Sequence, residues 1–150
     1  MKLGFRMKHY FYNAFREIFV HHHGSLTFRA KIYSLLIAAN EKATVDNFII
    51  VKQHGSTIYK NDKDRANLLL LSTKELVQKV RDNNGLGIDS LIQSIQSDLK
   101  VAPRYAKKID INSLKEFLNL TYDEDTLAYQ NSILEFLETL KNETLNKTNR

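Results

Sequence analysis

Three groups of side chains in this sequence have the types and spacing to do chemistry. The densest acidic run is Asp123-Glu124-Asp125. Calcium and magnesium take oxygen ligands, and consecutive carboxylates in a loop can supply them. The same acids at a helix start would cap it and complement its dipole. No glycine lies in the run to make the tight loop of a dedicated calcium site, which favours the capping role. The run His21-His22-His23 offers imidazole nitrogens to a transition metal. Adjacent side chains diverge, however, so an exposed helix end is the better reading. Third, Lys2, Arg6, Lys8 and Arg16 interleave with Phe5, Tyr10, Phe11, Tyr12, Phe15 and Phe19, and Arg29 and Lys31 follow. A helix of this kind can lie on an anionic membrane or contact nucleic-acid phosphates. So many aromatics at helical spacing also suit docking onto a bundle, which is the favoured role.

Other chemistries find no support. There is no cysteine, hence no disulfide, thiol nucleophile or cysteine-ligated metal. Glycine-rich phosphate loops, nucleophile elbows and the paired histidines of a helical zinc protease are absent. The chain is therefore not expected to be an enzyme. Its net charge of +5 sits in the first 34 residues, and the remainder is balanced. An acidic pole lies at Glu116–Glu143, so the sequence is a charge dipole more than a uniformly basic nucleic-acid binder. The first segment is too often interrupted by polar residues for a secretory signal or a membrane span. These features together imply a cytoplasmic protein, with peripheral contact at the inner face of the membrane as the variant reading.

The elements that must position these groups are helices. One proline, five glycines and 43% hydrophobic residues in 150 positions suit one all-α domain, a compact bundle of about seven helices. A basic aromatic helix is expected over Leu3–His21 within a segment 1–24, stopped at Gly24. Ser25 then caps a second helix, Leu26–Asn40, apolar nearly all round at its end and so central to the core. Thr44 caps the third, which runs to about residue 60. Asn61 or Asp62 caps a long fourth helix that ends at Asn83–Gly87, and a shorter one follows Asp89. Pro103 fits the first turn of another helix, broken near Asp110–Asn112. A last helix follows the acidic run. The domain proper is placed at 25–143, with 144–150 a fraying tail.

Two segments share a layout. Residues 34–50 and 119–134 each run from an apolar helix end through a short polar turn into a new helix, with Asn40 corresponding to Asp123. This plan resembles the TerB-like family, which is associated with tellurite resistance and with the N-terminal domain of some membrane-linked DnaJ-type chaperones. The resemblance spans roughly Leu26–Leu140 and implies an all-helical bundle of two similar helix-turn-helix halves. In that family each turn carries Asp-Gly, whereas here Asn40-Glu41 and Asp123-Glu124 stand in those places. Of the acidic positions that the resemblance would tie to a divalent cation, Asp46, Asp123 and Asp125 carry over.

The leading expectation is a non-catalytic, bacterial, stress-associated binding or scaffolding module. Its acidic turn would take a calcium or magnesium ion or a basic partner, and the expected partner is another protein. The competing expectation is a peripheral module that binds an anionic membrane, or less favourably nucleic acid, through Lys2, Arg6, Lys8, Arg16, Arg29 and Lys31. No oligomeric state follows from the sequence.

Overall fold

A computed structural model describes residues 24–82 and 87–148. Over these residues the chain forms α-helices and 3-10 helices and no strand. Helix α1 spans Gly24–Ala38, α2 Val45–Ile58, α3 Lys63–Arg81 and α4 Ile88–Val101. A 3-10 helix, η1, follows at Pro103–Lys108, then a single α-turn, α5, at Ile111–Leu114 and a second 3-10 helix, η2, at Lys115–Leu120. Helix α6, Glu124–Thr148, closes the described fold. The helix expected over Leu3–His21, the His21–His23 run and most of the Asn83–Gly87 loop lie outside the described residues.

Helix α1 is the centre. Leu26, Phe28, Ala30, Leu35, Leu36 and Ile37 are completely buried, so it shows apolar side chains in every direction and is covered by other elements. Its most extensive neighbour is α3. Across that contact the buried Ser34 hydroxyl donates to the Ala30 carbonyl at 2.6 Å and lies 3.3 Å from the Thr73 carbonyl. Burying a hydroxyl without a partner would cost about 1–3 kcal/mol, so this bond is what lets a serine sit in the core. Lys31 reaches Asp98 of α4 at 2.7 Å, half-buried, and ties α1 to its other flank. Phe28 meets Tyr105 of η1 with ring centroids 5.4 Å apart.

Several boundaries follow the expected chemistry. Asp62 caps α3, its Oδ1 accepting the Arg65 N–H at 3.0 Å. Pro103 opens η1, and Asp110 starts α5 by accepting from the Ser113 N–H at 3.3 Å and its hydroxyl at 2.7 Å.

Three boundaries differ. Gly24 and Ser25 are already helical, so Ser25 does not cap a helix there, and the helix that Gly24 is expected to stop lies outside the described residues. Gly24 permits a close approach, because a Cβ on it would collide with the Tyr105 hydroxyl. Thr44 does sit at the start of α2, yet its hydroxyl makes no capping bond. Residues 144–148, expected to fray, continue α6 to Thr148. Leu145 packs against the core, and the Thr144 and Thr148 hydroxyls bond back to the Leu140 and Leu145 carbonyls.

Candidate functional site

Two places bring polar groups together. The first is the end of the bundle where the two similar turns meet. Helix α1 finishes with the Asn40 N–H on the Ile37 carbonyl at 3.1 Å. That contact leaves the Leu36 carbonyl without its usual partner, and the Gln130 Nε2–H of α6 supplies one at 3.1 Å. Gln130 Oε1 in turn accepts the Thr121 hydroxyl at 2.7 Å, and Thr121 Oγ1 lies 3.4 Å from Asn40 Nδ2. Asn40 Oδ1 folds back on the Lys42 N–H at 3.1 Å and shapes the first turn. Asn40 and Gln130 are buried, so a polar chain runs inside the protein from one turn to the other.

The matched residues Asn40 and Asp123 are thus neighbours with unlike roles. Asn40 is internal. Asp123 is exposed and caps α6, its Oδ2 accepting from the Thr126 N–H at 3.0 Å and the Thr126 hydroxyl at 2.7 Å. These bonds, the Thr126 hydroxyl foremost, hold the Asp123 carboxyl below its ordinary range, with Lys42 of the first turn adding a smaller pull. Asp46 and Asp125 are exposed as well. Among the described residues no group of three or more His, Asp or Glu side chains is placed to hold a metal ion. Beside these turns in the chain Val45 is 73% exposed and Tyr122 96% exposed, and Glu41, Asp46, Asp123, Glu124 and Asp125 are exposed as well.

The second place is a cleft of about 310 Å³ between α1, α2 and the 108–116 segment. Its floor is a relay. The His54 Nε2 lies 2.8 Å from a Glu116 oxygen, and Nδ1 lies 3.2 Å from the Tyr33 hydroxyl. A carboxylate only accepts, so Nε2 carries hydrogen, and in the neutral ring Nδ1 accepts from the phenol. Phe117 closes the back, 5.8 Å from the Tyr33 ring and edge-on to His54 at 6.3 Å. Burial raises the Tyr33 phenol well above its ordinary value, against the opposing pull of Arg29. Tyr59 is raised for the same reason, opposed by Arg29 and Arg65. Chemically, both ring nitrogens of His54 are engaged by protein groups and Tyr33 stays protonated at neutral pH. The relay therefore fastens α1, α2 and η2 to one another. None of Tyr33, His54 or Glu116 stood out in the sequence, since the pairs are 21 and 62 residues apart.

The basic residues divide. Lys2, Arg6, Lys8 and Arg16 lie outside the described residues. Lys31 is occupied by Asp98, and Arg29 lines the cleft, so these two do not form an outward basic face. Among the described residues no helix is long and apolar enough to cross a membrane. No protein-family model, curated protein or solved structure matches this chain.

Proposed function

We propose that this chain is a non-catalytic helical binding module of the TerB-like kind, working in the cytoplasm in a stress-associated role. Its binding face is the end where the two turns meet, and its partner is a basic segment of another protein. The observation that carries the reading is the pairing there of exposed apolar and acidic groups. Val45 and Tyr122 stand free of the core, with Glu41, Asp46, Asp123, Glu124 and Asp125 beside them and Lys42 as the opposing charge. An exposed tyrosine gives large contact area with few rotamers to freeze, and rim acids select cationic partners. The Asn40–Thr121–Gln130 chain holds the two turns in fixed relation, which reduces the ordering cost of binding.

A Lys- and Arg-rich peptide containing one aromatic residue, titrated into the isotope-labelled chain, tests this. Amide shifts are expected at Val45, Asp46 and Tyr122–Asp125, and Tyr122→Ala should remove them without lowering the melting temperature. Shifts spread evenly over the protein, or none at this end, would sink the reading. Calcium or magnesium added in place of the peptide tests the cation branch, which predicts shifts confined to Asp46, Asp123 and Asp125.

A further inference from the structure

Among the described residues, the cleft between α1, α2 and the 108–116 segment holds two cations that make no ion pair. Each acid that lines it is committed. Asp110 accepts from Ser113 through both its carboxylate oxygens, and Glu116 pairs with His54 at 2.8 Å. Arg29 and Lys108, by contrast, make no ion pair or hydrogen bond among the described residues, and Arg29 Nε is buried without an acceptor. Outside the cleft lining, the Tyr59 hydroxyl and Arg65 Nε are buried and unmatched too. The Arg65 guanidinium sits 5.0 Å from the Tyr59 ring centroid, and Arg29 is close enough to favour the phenolates of both Tyr33 and Tyr59. Stacking on a tyrosine would account for where a guanidinium lies, but it leaves the buried N–H donors without acceptors. The unmatched buried Arg29 donor at the cleft calls for an anion or ordered water.

We propose that this cleft binds a small phosphate-bearing compound, with Arg29 and Lys108 as its anchors. A phosphate monoester carries close to two negative charges at neutral pH, which matches the two free cations. The guanidinium fork suits phosphate oxygens, and the lysine acts as a point charge on a second element. A volume of 310 Å³ corresponds to about ten liquid waters, room for one phosphate and a few carbon atoms. Ile32, Ile58 and Leu114 supply the apolar wall for those carbons. The site is independent of the peptide-binding end, and either can fail without the other.

Inorganic phosphate, titrated into the full chain to about 20 mM with chloride matching the ionic strength, is the direct test. Saturable amide shifts are expected at Arg29, Thr57, Lys108 and Ser113, accompanied by a higher melting temperature. Arg29→Gln and Lys108→Gln should each weaken the response roughly tenfold, while Lys52→Gln on an exposed face should not. Lys108 is exposed, so its variant remains informative if Arg29→Gln folds poorly. Glycerol phosphate should bind at least as well as phosphate, since it also fills the apolar wall. The proposal is overturned if chloride alone reproduces the shifts, if the three variants weaken equally, or if acetate binds as tightly as phosphate.

Discussion

Replacing Gln130 by methionine should destabilise the fold through one particular carbonyl. Methionine keeps the length and the unbranched shape, so the core stays filled. What disappears is the donor to Leu36 O at 3.1 Å and the acceptor for Thr121 Oγ1 at 2.7 Å. The Leu36 carbonyl then sits at the end of a fully buried helix with its usual N–H turned toward Ile37. An unpartnered buried carbonyl costs about 1–3 kcal/mol. Thr121 is only half-buried, so water restores part of its loss, and the apolar side chain returns some transfer energy. The net loss is about 2 kcal/mol, or roughly 4–8 °C in melting temperature for a chain of this length. Urea denaturation measures it, with an unchanged slope required for a two-state comparison.

Thr121→Val extends the same test. If the chain Asn40–Thr121–Gln130 acts as a unit, the double variant should lose about 1 kcal/mol less than the two singles added together. A Gln130→Met protein within about 0.5 kcal/mol of the parent would refute the carbonyl argument. Strict additivity would refute the coupling and, with it, the claim that the two turns are held as one face.

Three further outcomes are expected. Asp110 and Asp123 have folded-state carboxyls depressed chiefly by Ser113 and Thr126, so their stabilisation is present above the ordinary value of 3.8 and is lost as pH falls below it. Melting curves across that acid range should flatten in the Asp110→Asn, Asp123→Asn double variant, and an unchanged acid slope would count against the caps. Tyr33 is raised by burial, so its contribution is complete below the ordinary phenol value of 10.0 and fades as pH climbs above it. Ultraviolet titration should show tyrosine ionisation that is delayed until unfolding, and its amplitude should fall by one tyrosine in Tyr33→Phe, at a cost near 1 kcal/mol for the lost His54 bond. Lys31→Ala strands Asp98 half-buried and should cost about 1–2 kcal/mol after allowance for solvent screening. It should leave adsorption to anionic vesicles unchanged, and a variant that lost vesicle adsorption instead would restore Lys31 to the outward basic face.

The helical frame could be read from residues whose signal is local. Leu35-Leu36-Ile37 is apolar in consecutive positions, which on a helix means burial all round, and α1 is buried all round. Pro103 and Asp62 act through their own backbone neighbours, so their positions carried over directly. Where a local rule met a tertiary contact, the contact won. Gly24 reads as a helix stop, yet it also leaves room for the Tyr105 hydroxyl, 81 positions along the chain, and no periodicity encodes that approach. Residues 144–148 read as a polar tail because Leu145 is a lone apolar residue among them, yet one leucine on the inner side of an established helix is enough to dock another turn.

The same distinction explains why the functional candidates divide as they do. The acidic residues of the second turn were visible because they are consecutive, and they remain on the surface, where consecutive like charges must be. Tyr33, His54 and Glu116 come from three elements, and their meeting depends on the packing of α1 and α2 on α3 and of α2 against η2. A single histidine at position 54 carries no mark of its partners. Arg29 is the residue that joins the two views. Counted by sequence it belongs to the basic first quarter and to a charged outer face. Placed in the fold, it is four residues before Tyr33 on the same helix, which turns both toward the cleft. An arginine so placed, with a buried Nε and no ion pair among the described residues, calls for something negative or hydrated to complete it. The cleft and the charge are therefore one feature, and the phosphate titration addresses both at once.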